Sequence, residues 1–421
     1  MLVAVARNQR MHPDALRDHV GAWDHISLPT SLGGAGITSA VRVSPAAWLG
    51  SWSMVSKLLD GFLRDSPLGS VVHDALFPLS ASTLPVARHI QDAWSSVRQL
   101  PGVLSSSRLL GPQGLPSLDR LPGAFTSAQR VLARAVHLSF RDALTSPASC
   151  PSAAVAARVR SSGSLGAKAF LHFPSRPEFF LEPFAYRIMF AFRFGLSLSH
   201  VGRLSPQFLD QSSRLFDPLG HTALDCGALA GSSPPVRGRH HTHEAVAVEV
   251  RSLADRMGFP TRREVVGFFY SGESATGRRP DFVSPLPTGG HRMFDVSIVD
   301  HCSSSSLEAG SARHDLVAAR ARDRVKVTKY DRDGDPASCS ALGHTFVPLS
   351  VESSRAFGPS FAAWFSTWLV EQREAELQAG GSGWQTAALS TYWQQRIAAA
   401  LHRSIACRML EHLTPHTHDG R

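Results

Sequence analysis

Four side chains in the second half of the chain have the types and spacing to act on a phosphodiester. Asp281 follows Arg279-Pro280, and Asp295 stands fourteen positions later inside RMFDVSIVD, an otherwise apolar run. Lys326 and Lys329 follow in KVTKY. The chain holds only four lysines, the others being Lys57 and Lys168, so arginine is its default base and the downstream pair stands out. Two carboxylates supply the hard oxygen donors that Mg²⁺ or Mn²⁺ prefers. An ammonium is a compact donor that can contact an attacking water or the scissile phosphate. The pattern predicts a metal-dependent hydrolytic site, with Asp281 and Asp295 as metal ligands and Lys326 and Lys329 as their basic partners. A structural alternative stands beside it. Asp281 can be a turn residue behind Pro280, Asp295 can pair with a buried arginine, because a carboxylate in an apolar strand needs a partner, and the lysines can lie on a solvated basic face with Arg320, Arg322 and Arg324.

These residues need a scaffold, and the pattern after residue 238 supplies one. Residues 240–259 read as a helix with Val246, Val250, Leu253 and Met257 on its apolar face. Three β-type runs follow, REVVGFFY (263–270), RPDFVSP (279–285) and RMFDVSIVD (292–300), separated by Gly- and Pro-containing segments. Residues 307–330 read as a second helix, HTFVPLSVE (344–352) as a fourth strand, and 359–378 and 385–412 as closing helices. A helix between the third and fourth strands allows a crossover that makes them parallel. The predicted core is αβββαβ with a small mixed sheet, an α/β C-terminal domain over residues 236–421. Lys326 and Lys329, at i,i+3, share a helical face. Glu244, Glu249 and Glu264 are further acids near the site, each a candidate third ligand or a surface carboxylate.

Residues 1–235 read as mainly helical, with apolar residues at helical spacing over 45–63, 85–100 and 126–144 and an aromatic-rich stretch at 179–196. Segments 101–123, 145–167 and 227–238 are rich in Ser, Pro and Gly and read as loops. The 421 residues carry a formal charge of +9. Arginine pairs with phosphate through a planar fork, so this balance suits a nucleic-acid partner and equally an arginine-rich but ordinary surface. Five scattered cysteines argue for a reducing, intracellular setting rather than a disulfide framework. No CxxC occurs, and no apolar stretch reaches eighteen residues, so neither a complete cysteine-based zinc site nor a membrane span is expected. DRDGD (331–335) reads as a turn, since the twelfth position of an EF-hand loop would be Leu342.

The order of helix, hairpin, Arg279-Pro280-Asp281, Asp295 in an apolar strand and lysines on a helix resembles the PD-(D/E)XK nuclease core. More narrowly it is similar to the restriction-like endonuclease domain at the C-terminal end of non-LTR retrotransposon reverse transcriptases. There, a Pro-Asp pair is followed after twelve to fourteen residues by a second acid, and a K-x-x-K-Y-like run carries the lysine. Here thirteen residues separate Asp281 and Asp295, and Lys326, Lys329 and Tyr330 match that run. Residues 28–52 resemble the thumb region after the polymerase palm, and 217–226 the second half of a zinc knuckle. The resemblance implies a Mg²⁺- or Mn²⁺-dependent DNA endonuclease that nicks a target, in the nucleus, with the element RNA as a further partner. Arg237, Arg239 and His240, in a His-rich stretch, read either as phosphate contacts or as a helix-entry loop, and Arg279, Arg324 and Tyr330 are further candidates for nucleic-acid contact. Three departures qualify the resemblance. The knuckle keeps only His221 and Cys226, with Leu209 and Ser212 where cysteines would stand, so zinc is not expected there. Ser297 occupies the lysine position of a D-x-K motif, so activity would depend on Lys326 or Lys329. No consecutive aspartates occur, so the polymerase palm motif is missing. Two other readings stay open: a nucleic-acid-binding remnant without activity, and an unrelated helical interaction protein.

Overall fold

The computed structural model describes residues 21–65, 67–100, 115–121, 127–171, 174–204, 216–225, 239–263, 270–271, 274–275, 278–286, 289–411 and 413–415. The chain divides into two units, one of residues 24–150 and one of residues 151–421 together with 1–23. Both the helical content expected of the N-terminal half and the small mixed sheet expected of the C-terminal half are present.

Among its described residues the 24–150 unit contains helices and no strand. Helices Ala40–Arg64, Pro67–Leu76, Pro85–Arg98 and Ala128–Thr145 enclose a core that includes Leu49, Leu79, Ile90, Val97, Leu132 and Val136. Gly50 lets the first of these approach the last closely, since a Cβ there would lie 2.4 Å from the Gln129 Cα.

The second unit is built on four strands, β1 (Arg262–Arg263), β2 (Phe282–Pro285), β3 (His291–Val299) and β4 (Thr345–Glu352), hydrogen-bonded in that order. The first two pairings are antiparallel, with Phe282 opposite Phe294, and β3 and β4 run parallel. A parallel pair requires a crossover, and the chain makes it through the short helix Ser304–Glu308 and then α2 (Val317–Tyr330), after α1 (Arg239–Arg256) has preceded the sheet. The continuous helix expected over 307–330 is therefore interrupted. Gly310 and then Leu316 take left-handed backbone angles, φ 98° and 60°, and α2 starts only after Leu316. α3 (Pro359–Gln378) and the long α4 (Trp384–Leu410) close the unit.

Side chains alternate across β3. Met293 joins Val283, Tyr330, Cys339 and Phe346 on the α2 side. Phe294, on the other side, stacks on Phe282 at 4.7 Å and meets Trp364 of α3 at 5.3 Å. α1 buries Val246, Val250 and Leu253, and α4 buries Ile397, Leu401, Ile405 and Met409, positions four apart that form one stripe.

The division into compact units falls at residue 151. Helices Ala153–Ser162 and Pro183–Phe194 belong with the sheet-containing unit, the second through a buried face that includes Phe184, Ile188, Met189 and Phe192, the first through polar bonds as well. Arg160 pairs with Asp315 at 3.1 Å, the Ser161 hydroxyl donates to Glu352, and Phe170 meets the His402 ring edge-on.

Candidate active site

The geometry begins with a match between two periodicities. Three side chains of α2 spaced four apart, Arg322, Lys326 and Tyr330, meet alternate residues of β3, Ser297, Asp295 and Met293. Arg322 Nε donates to Ser297 Oγ at 3.3 Å, Lys326 Nζ lies 2.5 Å from Asp295 Oδ1, and Tyr330 packs with Met293. Four helical residues rise about 6 Å and two strand residues about 6.6 Å. A helix running back along a strand therefore keeps step with it over these contacts.

Asp281, one residue before β2, is held beside Asp295. Its backbone N–H donates to Phe294 O at 2.9 Å, and its Oδ2 accepts from Val296 N at 2.7 Å, so it bonds to both neighbours of Asp295. The Asp295 side chain is buried, 4 % exposed, whereas that of Asp281 is 20 % exposed. Asp281, Asp295 and Lys326 are thus brought together. Lys329 is directed elsewhere: its Nζ donates to the Tyr330 hydroxyl at 3.3 Å and lies 4.8 Å over the ring.

His243 of α1 joins the group, and sequence reasoning missed it. Its Nε2–H donates to Asp281 Oδ2 and to Val296 O, each at 3.0 Å, while its Nδ1 is enclosed without a hydrogen-bond partner. Burial alone would lower its pKa, but the hydrogen bond and charge of Asp281, with the charge of Asp295, raise it above the ordinary imidazole value. The signal available in the sequence was the cluster HHTH at 240–243, which reads as a phosphate-contacting start of a helix.

The remaining expected residues separate. Glu244 lines a small pocket with Asp281 and pairs with Arg263 at 2.7 Å. Glu249 pairs with Arg396 of α4. Five residues at about 100° each turn it roughly 140° away from Glu244, so it is not a third acid of this site. Tyr330 is a correction. It is fully buried, its hydroxyl donates to Arg279 O at 2.7 Å, and it serves the core rather than a nucleic-acid surface. Burial, then the nearby Asp295 charge, raises its phenol pKa well above the ordinary value. Arg279, Arg324 and His240 are exposed. Glu264, Cys226 and Arg237 lie outside the described residues, as does the side chain of Arg239.

A cavity of about 580 Å³ opens beside Lys326, with His240, His243, Ser297, Arg322 and Arg408 among its lining residues. Apolar and serine side chains make up most of the remaining wall, and the basic groups Arg322, Lys326 and Arg408 outnumber its one acid, Asp300, a balance that favours an anion. No family model matches the chain, and no curated protein matches it. No helix among the described residues is long and apolar enough to cross a membrane.

At the C-terminal end of β3 lies a second group. Asp300, His301 and Cys302 are all buried, and one ligand atom from each lies within 4.8 Å of the others, so together they could hold a metal ion. His221, expected as a knuckle remnant, donates from Nδ1 to Asp300 Oδ2 at 2.8 Å. Burial would raise the Asp300 pKa, but the His221 charge and hydrogen bond outweigh it and hold the carboxyl below the usual range. Burial pushes the His301 pKa down to about 3 and the Cys302 thiol up to about 12.

Proposed function

We propose that this chain is a divalent-metal-dependent DNA endonuclease of the PD-(D/E)XK kind, related to the C-terminal nuclease region of non-LTR retrotransposon reverse transcriptases. The observation that carries the reading is the meeting of Lys326, from the crossover helix, with Asp295 beside Asp281. Ser297 leaves the strand without a lysine, and the helix returns one to the same acid.

The donor set fits Mg²⁺ or Mn²⁺, because both carboxylates offer hard oxygens. Asp281 and Asp295 would hold the ion, which when bound would polarise the phosphate and activate water. His243 and the Val296 amide fix Asp281 through Oδ2, so its carboxylate is oriented before substrate arrives. Lys326 places a positive charge where a phosphate oxygen becomes more negative during attack. Arg322, Arg408 and His240 line the adjoining cavity and can receive flanking phosphates.

Nicking of supercoiled plasmid tests this. The wild type should nick in Mg²⁺ or Mn²⁺ and not in chelator, with Asp281→Ala and Lys326→Ala each reduced by about 10² or more. Equal activity in wild type and Asp281→Ala would remove the site from consideration. A second reading, a nucleic-acid-binding protein without cleavage, is favoured by the pairing of each acid with a base of the chain itself, Asp281 with His243 and Asp295 with Lys326. It predicts no nicking by the wild type but DNA affinity that falls steeply with salt.

A further inference from the structure

We propose that Asp300, His301 and Cys302 form a zinc site that fixes the turn at the end of β3, separate from the Asp281–Asp295 pair. The three residues leave β3 consecutively and all three are more than nine-tenths buried. In a tetrahedral zinc site, ligand atoms stand roughly 3.5 Å apart. The group, within 4.8 Å of one another, therefore needs to close by little more than about an ångström.

A second observation points the same way. His301 Nε2 is enclosed with no hydrogen-bond partner, an arrangement that is disfavoured for a buried polar atom. Its Nδ1 meets Ser353 Oγ at 3.1 Å, and that hydroxyl also donates to Asp300 Oδ1 at 3.0 Å. A void of about 10 Å³, lined by His221, His301, Ser353 and His402 among others, adjoins the imidazole and has room for one water-sized occupant.

The donor chemistry selects the ion. A carboxylate, an imidazole and a thiolate together suit zinc, whereas Mg²⁺ takes oxygen ligands and has little use for the other two. Cys302 is held only by a weak contact, its Sγ lying 3.6 Å from Ala154 O, so it can turn to a metal. Binding releases the thiol proton to solvent. The 2+ of the ion is then matched by one carboxylate and one thiolate, which leaves the group neutral where Asp300 alone carried one negative charge beside the buried Arg158 and Arg193. His221, donating to Asp300, orients the carboxylate as outer-shell partners do in metal sites. Held by three consecutive residues, the ion would fix the backbone of the turn that leaves β3.

The test uses the full chain loaded with Co²⁺ as a spectroscopic probe and with Zn²⁺ for X-ray absorption. One equivalent of Co²⁺ should give a thiolate-to-cobalt charge-transfer band, displaced by one equivalent of Zn²⁺. The band should vanish in Cys302→Ser and persist in Cys339→Ser, a control of similar burial. The zinc-loaded wild type should show one sulfur neighbour at about 2.3 Å, a readout that holds even if Cys302→Ser fails to fold. Absence of a charge-transfer band or of a sulfur neighbour in the wild type would overturn the site, as would a band that survives Cys302→Ser. Asp281→Ala should keep the cobalt band whatever its nicking activity, so the zinc site and the nuclease reading stand or fall separately.

Discussion

Lys326→Met tests the contact on which the candidate site turns. The ammonium and the Asp295 carboxylate are 2.5 Å apart, with side chains 13 % and 4 % exposed. Their gross attraction at an effective dielectric of 20 is about 7 kcal/mol. The desolvation of two ions offsets most of it, so the intact pair adds little net stability. Removing only the lysine is different, because the carboxylate stays enclosed without its counter-ion. The expected loss is about 3–5 kcal/mol, read as a lowered urea midpoint for the sheet-containing unit. Met preserves the length of the stem, which separates the loss of charge from a loss of packing. The double variant Lys326→Met, Asp295→Leu removes both ions, and its midpoint should return to within about 1 kcal/mol of wild type or exceed it, while nicking is lost in both. A single variant within about 0.5 kcal/mol of wild type, or a double variant as unstable as the single, would refute a buried pair held between the layers.

Three further outcomes follow from the same structure. Burial raises the Glu352 pKa to about 7 from an ordinary 4.5, so the folded chain holds a proton that the unfolded chain gives up between those values; the associated stability, full below pH 4.5, should fade as pH rises through 7, and Glu352→Gln should flatten that slope in urea midpoints measured from pH 4 to 8. Phe294→Ala removes a fully buried ring stacked on Phe282 and packed on Trp364, and calorimetry or urea unfolding should record a loss of about 3–5 kcal/mol. His243→Ala deprives Asp281 of one of its two side-chain bonds, and the Mg²⁺ concentration for half-maximal nicking should rise by about 10-fold; an unchanged requirement would show that His243 does not position the acid.

The sequence carried the sheet and most of the acid–base arrangement because those are local patterns. RMFDVSIVD reads as a strand with one intruding carboxylate, and RPDFVSP as its hairpin partner, so the neighbourhood of Asp281 and Asp295 followed from element order. Lys326 was legible as one of two rare lysines, but the choice between it and Lys329 was not. That choice depends on the rotation of α2, which the burial of Tyr330 fixes. His243 escaped because its partners lie 38 and 53 residues away and no spacing encodes them. The place where the compact units divide, residue 151, was not legible for a related reason. The segment after residue 151 joins the sheet through Ser161, Arg160 and Phe170, whose partners at Glu352, Asp315 and His402 are remote in the chain.

The shared step of α2 and β3 has a consequence for how such proteins can be compared. Ser297 stands two residues beyond Asp295 on the same face of the strand, and Lys326 reaches that acid from the layer above. A lysine planted at either address delivers its charge to one point in space. Two chains using different addresses would share no spacing between acid and base, and an alignment that rewards equal gaps would score them as strangers. A search by place, asking which ammonium lies over the acid of the central strand, would set them side by side.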